Sequence, residues 1–376
     1  MDKMADVLGR AGAWCGQNKY LSAIKNAFQN FMPLTIAGAI GVLWCNVLVN
    51  DQTGLGLFFK PIMALDFLNP AFQAVNFCTI SCITVGITLG IAQEIGVWNM
   101  GAERAGYIPG LVGLAAWLSV TNTSHMVDGA KEAFTGIAGN ELGATGLFTG
   151  MIIGVLSVEL FCFFEKQDAL KIKMPEQVPP GVARAFEVLV PATITLIITA
   201  CIGSACYNLT GLYLNDVIKN GIQGPLGAVG ATIPGVMIIY LVIMLFWLVG
   251  IHGNNMLSAV KEALFTPLAL ENVEAFNKCE TTKNIINMYF LQMCGEFGGS
   301  GVTIGLVIAI MIFGKREDNK AIATLSLVPG LFNINETVTF GIPMVLNPIL
   351  GIPFVVAPLV TIIIGYVLTV IVQLHV

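Results

Sequence analysis

The chain has 376 residues, of which 56% are hydrophobic and only 11% charged, with a formal net charge of −5. Soluble domains carry about 25% charged residues, so this composition cannot clothe a water-soluble globule of this size. It reads instead as an all-α integral membrane protein without a nucleic-acid partner, in which the position of each charge matters more than their sum.

The first thirty residues have no uninterrupted apolar core and no small-residue cleavage site, so they are not a signal peptide. Tyr20, Leu21, Ile24, Phe28 and Phe31 fall on one helical face while Lys19 and Lys25 lie elsewhere, which predicts an amphipathic helix in the membrane interface over 1–30. A membrane-spanning helix needs about 20 apolar residues. Candidates occur at 31–49, 72–95, 105–120, 144–165, 186–207, 231–251, 288–313 and 353–373, with half-spans at 323–332 and 338–350. The expected architecture is a multi-span helical bundle of about 9–10 spans with re-entrant half-helix hairpins. Lys3, Arg10, Lys19 and Lys25 precede the first span, Arg104 follows the second, and Lys166, Lys171, Lys173 and Arg184 follow the fourth. Lys60 and Lys131 are alone in the loops between. This alternation, with Lys315, Arg316 and Lys320 further on, predicts a cytoplasmic N-terminus.

The charged, proline-containing stretch 166–183 divides the chain. Before it, 31–165 reads as a transmembrane scaffold; after it, 184–376 holds a fifth span and a working domain. The first half has few intramembrane charges, chiefly Glu94 and Glu159, whereas the second has His252, Glu296 and Glu336 amid broken apolar runs. Nine cysteines are present, none in a CxxC pair and most in apolar runs, so neither a disulfide framework nor a metal site is expected. No cofactor is expected either.

Three constellations carry chemistry. In "FWLVGIHGNNM", 246–256, glycines flank His252 and favour a helix break, followed by Asn254 and Asn255. In "MCGEFGGSGVTIGL", 293–306, Glu296 stands in a glycine-rich turn with no phosphate-loop lysine after it. In "LFNINETVTFGIPMVLNPILGIPFVVAP", 331–358, Asn335 and Glu336 lie between short apolar pieces, and Pro343, Pro348, Pro353 and Pro358 follow. Four prolines at that spacing argue against one straight helix and for a discontinuous element lining a cavity. A histidine, two glutamates and several asparagines on broken helices describe a pocket for a neutral, hydroxyl-rich solute. Trp247, Phe297, Phe332 and Phe340 offer apolar faces for a sugar ring. Each feature also has a plain alternative: a solvated histidine at a helix end, a flexible glycine loop, a solvent loop bearing Glu336, and lipid-facing or core aromatics.

At "LVGIHGNN", "GGSGVTIGL" and "NINETVTFGIPMVLNPILGIPFVVAP" the sequence resembles the membrane-embedded IIC component of the bacterial phosphoenolpyruvate-dependent sugar phosphotransferase system. The likeness is to its lactose/cellobiose/diacetylchitobiose branch, in the glucose superfamily, and "NKYLSAIKNAFQNFMPLTIAGAI" resembles that branch's opening. The resemblance implies a multi-pass protein of the bacterial inner membrane that forms a homodimer, binds a disaccharide in its C-terminal domain and moves it inward. A phosphocysteine-bearing IIB protein, charged by IIA, then phosphorylates the sugar. His252 and Glu336 match family positions that contact sugar, Glu336 as acceptor and candidate base at the phosphorylated hydroxyl. Asn140 resembles a polar position before the fourth span. Glu296 is carried on its chemistry alone, as are Asn254, Asn255, Asn335 and Trp247. Two departures stand out. The family's Asn-Glu-Pro is here Asn335-Glu336-Thr337, and family members run on beyond the position of Val376, so a short variant or an incomplete sequence is expected.

No hydrophilic segment of about 100 residues is present to form a IIA or IIB domain, so this chain alone is not expected to phosphorylate. The rival readings are an ion-coupled secondary sugar transporter using Glu336 or Glu296 as a proton site, and an intramembrane hydrolase using His252 and a glutamate. The hydrolase lacks a matching nucleophile, with no GxSxG in the chain.

Overall fold

The computed structural model describes all residues except 1–5, 8, 11–12, 15–16, 52–53, 126–133, 176, 279, 343, 345–346 and 373–376. Of the residues named above, Lys3, Lys131, Pro343 and Val376 lie outside the described set, as do Cys15 and Cys279 of the nine cysteines. The chain divides into two compact units, Ser22–Gly224 and a second made of Met1–Leu21 with Pro225–Val376.

The first helix, α1 (Lys19–Leu43), begins where the Asn18 side chain accepts the amide N–H groups of Tyr20 and Leu21, both at 3.1 Å. It runs through Pro33 and continues as a wider π-helical turn over Trp44–Leu48. Residues 19–30 of the amphipathic stretch are therefore continuous with the first apolar stretch in one helix. Its polar residues have a use inside the unit: Asn26 and Asn30, one turn apart, donate to the Glu94 carboxylate at 2.9 and 3.4 Å.

Within this unit follow α2 (Asn69–Asn76), α3 (Ile83–Met100), the single turn α4 (Ala102–Ala105) and α5 (Ile108–Val120). A two-residue antiparallel pair, β1 (Ser124–His125) with β2 (Phe134–Thr135), precedes the turn α6 (Gly139–Leu142) and the long helices α7 (Ala144–Glu165) and α8 (Pro180–Thr210). The short α9 (Leu214–Ile218) closes the unit, and α10 (Gly224–Gly230) begins at its boundary. On α3 an isoleucine recurs every fourth residue, at Ile83, Ile87, Ile91 and Ile95, and this stripe is buried. Trp117, Leu147 and Phe161 are fully buried in the same unit. Where α4, α7 and α8 present charge, the side chains pair. Glu165, almost fully buried, accepts from Arg104 and Arg184 at 2.8 Å each, and both arginines also reach Glu187 at 2.8 Å.

The second unit contains α11 (Ile233–Leu248), α12 (Gly253–Asn277), α13 (Met288–Cys294), α14 (Ile304–Phe313), α15 (Glu317–Leu331), α16 (Glu336–Gly341) and α17 (Pro348–Val372). One core cluster gathers Tyr240, Phe265, Phe290 and Ile362; another gathers Ile243, Trp247, Val338 and Phe354. The loop before α13 is held by amides. Asn272 exchanges hydrogen bonds with the backbone of Asn284, at 2.8 and 3.1 Å, and Asn287 caps α13.

Among the described residues, four helices are long and apolar enough to cross a membrane, six if each of two bent helix pairs counts once, and two shorter apolar helices accompany them. The nine or ten stretches read from the sequence include pieces that are short or divided. Residues 105–120 yield only the thirteen-residue α5, and 288–313 is split into α13 and α14 by a turn at Gly295–Thr303. The prolines after Glu336 behave differently from expectation. Pro348 starts α17, where no intrahelical N–H is needed, and Pro353 and Pro358 lie inside it. The break falls between α16, which ends at Gly341, and α17, which starts at Pro348. Membrane helices tolerate internal proline because neighbouring groups can satisfy the freed carbonyls.

Candidate functional site

Helix α11 ends at Leu248 and α12 starts at Gly253, and two glycines account for the break. Gly250 takes φ +82°, in the left-handed region that side chains rarely adopt. A Cβ at Gly253 would collide with the Ile243 carbonyl oxygen. Between them His252 caps α12, its Nδ1 accepting the Asn255 amide N–H at 3.2 Å. That bond fixes the tautomer: in the neutral ring the proton sits on Nε2. Nε2 lies 3.2 Å from Glu336 Oε1, so His252 donates to the carboxylate. Beneath the imidazole lies Trp247, 1% exposed, its ring centroid 4.4 Å away.

The second element is the turn between α13 and α14. Gly298, Gly299 and Gly301 have φ of +84°, +94° and +82°, a run that only glycine supports without strain. The turn is pinned from within by Thr303, whose hydroxyl donates to the Gly298 carbonyl at 2.5 Å. It is pinned from outside by the third element. Asn333 Oδ1 accepts the Gly298 N–H at 2.9 Å, and Asn335 Nδ2 donates to the Ser300 carbonyl at 2.6 Å. The two polar tips read separately in the sequence thus dock on each other through backbone and amide groups.

Glu296 is not a lone carboxylate. Its Oε1 accepts from the buried Lys261 ammonium and from the Tyr240 hydroxyl, the latter at 2.8 Å. Lys261 also donates to Asn254 Oδ1 at 3.2 Å, and Asn254 Nδ2 donates to Ser300 Oγ at 2.8 Å. His252, Asn254, Asn255, Glu296, Asn335, Glu336 and Trp247 are therefore joined in one network within one unit. Asn255 enters it through its backbone, and Trp247 lies beneath His252 rather than at an open surface. Asn140 is exposed in α6 of the other unit. Phe297, Phe332 and Phe340 are exposed, at 42%, 74% and 60%.

Among the described residues, buried polar atoms without a hydrogen-bond partner occur in both units; in this one they are Glu336 Oε2 and Trp247 Nε1, on residues that touch His252, and Thr339 Oγ1, three residues after Glu336. Buried polar atoms are partnered in roughly 90% of cases or more. An acceptor, a hydroxyl and a donor left over on these elements are groups that a polyol could satisfy. Among the described residues, no group of three His, Cys, Asp or Glu side chains is placed to hold a metal ion.

The sequence reading passed over Lys261, Tyr240 and Ser300. Lys261 had a signal. It follows Asn254 by seven residues, two helical turns, so the two share a face. Tyr240 and Ser300, in an apolar run and a glycine turn, carried none.

The profile of the family described as "Phosphotransferase system, EIIC" matches residues 25–358. The chain belongs to this family. It is a multi-pass membrane permease for sugar, working with IIA and IIB proteins, and of the three sequence readings this is the one the family supports. It is 32% identical over 369 residues to the oligo-beta-mannoside-specific EIIC component of Bacillus subtilis (strain 168), covering 97% of this chain and 80% of that protein. It is 29% identical over 425 residues to the cellobiose-specific EIIC component of Lactococcus lactis subsp. lactis (strain IL1403), covering 97% and 86%. Among solved structures, the transporter ChbC, the IIC component from the N,N'-diacetylchitobiose-specific phosphotransferase system, superposes with a TM-score of 0.86 at 29% identity. That match covers 96% of this permease and 83% of the solved chain.

Proposed function

We propose that this permease binds a β-linked disaccharide of the cellobiose, chitobiose or lactose type in its C-terminal part, at the His252–Glu336 pair. The observation that carries the reading is the pair itself: one Glu336 oxygen is held by His252 and the other is buried without a partner. An unpartnered carboxylate oxygen beside one held by an imidazole is a group that a sugar hydroxyl could satisfy. Relatives named for cellobiose, oligo-β-mannoside and N,N'-diacetylchitobiose support the substrate class.

In this reading the sugar 6-hydroxyl gives its proton to Glu336 as its oxygen takes the phosphoryl group from the phosphocysteine of IIB, whose sulfur leaves as thiolate. Phosphoryl transfer demands positioning more than covalent help, which suits a site of hydrogen-bonding groups. His252 orients Glu336, and Asn254, Asn335 and Glu296 shape the surrounding turn. The protein acts as a homodimer with its N-terminus in the cytoplasm, and the C-terminal part carries the sugar while 31–165 serves as scaffold. The decisive experiment is sugar uptake in cells with and without the general phosphotransferase enzymes. Accumulation of phosphorylated sugar only when those enzymes are present is expected. Accumulation of free sugar driven by a proton gradient would sink the proposal. Direct titration of the purified permease with cellobiose, lactose and N,N'-diacetylchitobiose identifies the sugar.

A further inference from the structure

Lys261 is 4% exposed, on a helix whose neighbours are largely apolar, and nothing in the sugar chemistry requires a cation there. Its ammonium has three N–H donors and no acceptor. It donates to Glu296 Oε1 and, at 3.2 Å, to Asn254 Oδ1. The second bond removes an ambiguity, because a carboxamide can face either way, whereas a lysine can meet only its oxygen. Nδ2 must then point away from Lys261, and it meets Ser300 Oγ at 2.8 Å. Ser300 also offers its carbonyl to Asn335, the residue before Glu336. A bonded line thus runs from Lys261 through Asn254, Ser300 and Asn335 to the backbone of Glu336.

We propose that Lys261 is a positioning residue of the sugar site: it fixes the orientation of the Asn254 carboxamide and, through Glu296, clamps the glycine turn against α12. The proposal rests on the reading of this network as the sugar site. It also gives Glu296 a part that does not require contact with sugar. Its charge answers Lys261, and the Tyr240 hydroxyl donates to the same Glu296 oxygen at 2.8 Å. The competing explanation is that the ion pair only holds the fold together.

The two explanations part at the double variant. Lys261→Met alone leaves the Glu296 carboxylate buried without its cation, so both thermal stability and affinity should fall. Lys261→Met with Glu296→Gln removes both charges, and the melting temperature in detergent should return close to that of the unmodified permease. Titrated with cellobiose and with N,N'-diacetylchitobiose, the double variant should still bind about tenfold more weakly, the loss of one oriented hydrogen bond. Adding Asn254→Ala to it should cost nothing further, because the contact is already lost. A folded double variant that binds like the unmodified permease would overturn the positioning role, as would an undiminished extra loss from Asn254→Ala. If Asn254→Ala and Glu336→Gln, each folded, leave both titrations unchanged, the site reading fails and the role of Lys261 falls with it. If those two lose binding while the double variant keeps it, only the role of Lys261 is lost.

Discussion

His252 Nε2 and Glu336 Oε1 meet at 3.2 Å although 84 residues separate them in the chain. Each is the first or capping residue of its helix, so the contact joins two helix starts rather than two helix middles. A side chain at a helix start is fixed by the cap geometry, and this is what gives the pair its alignment.

Glu336→Gln retains the shape of the acceptor and removes its charge. Phosphorylation by IIB should fall by about a hundredfold or more, the ordinary contribution of a general base, while thermal stability in detergent stays near that of the unmodified permease. Full phosphorylation in this variant would take Glu336 out of the chemistry. His252→Ala should weaken sugar binding measured by calorimetry, and unchanged titration heats would exclude a role for the imidazole.

Trp247 is fully buried and supports the His252 ring. Trp247→Ala should cost about 3–5 kcal/mol of stability, as removal of a large buried aromatic does. Trp247→Phe preserves most of the volume and should recover most of that loss, read as melting temperature. Equal losses in the two variants would mean that packing under His252 is not what Trp247 supplies.

Glu165 is buried between Arg104 and Arg184. Losing either arginine leaves the other in place, so Arg104→Met or Arg184→Met alone should be tolerated at modest cost. Losing both should cost about 3–5 kcal/mol, the effect of stranding a buried charge. Adding Glu165→Gln to the double variant should restore part of the stability. Additive single losses with no rescue would refute the network as the cause.

Gly299 has φ +94°, and a Cβ there would meet the Asn335 side chain. Gly299→Ala should therefore separate the two tips and abolish sugar binding, with a stability loss of about 1–3 kcal/mol. Sugar binding at full strength in this variant would show that the docking of the tips is dispensable.

Thr337 is the second residue of α16, where no intrahelical acceptor awaits its N–H. Thr337→Pro, which gives the Asn-Glu-Pro order expected from the resemblance, should fold with a change within about 1 kcal/mol. It should alter sugar affinity through the Glu336 backbone, because proline disfavours the helical region for the residue before it. Identical titrations for cellobiose, lactose and N,N'-diacetylchitobiose would show that the departure is silent.

How much of this was legible in the sequence depended on the kind of residue. The breaks around His252 and Glu296 could be read because glycine is used where the backbone takes conformations closed to other residues. The tip at Asn335 and Glu336 could be read because polar groups in apolar sequence are costly and need a reason. Lys261 escaped because it falls between the candidate spans 231–251 and 288–313, outside the three polar constellations, and its partner Glu296 lies 35 residues on. The prolines misled for a related reason. Pro353 and Pro358 break a solvent-exposed helix, but inside a membrane protein the surrounding groups decide, and those are not written locally.

The two carboxylates of the site are balanced by different means. Glu296 has a lysine. Among the described residues, Glu336 pairs with no lysine or arginine, only with the imidazole that caps α12, a helix of 25 residues. The amino end of such a helix carries about half a positive charge, spread over its unpaired amide groups. The Glu336 carboxylate stands at that end, so the backbone supplies a field that no side chain has to provide. That field does not move with a rotamer and cannot be titrated away. Of the two acids, Glu336 is the one whose electrostatic support survives every side-chain substitution that leaves α12 starting at Gly253.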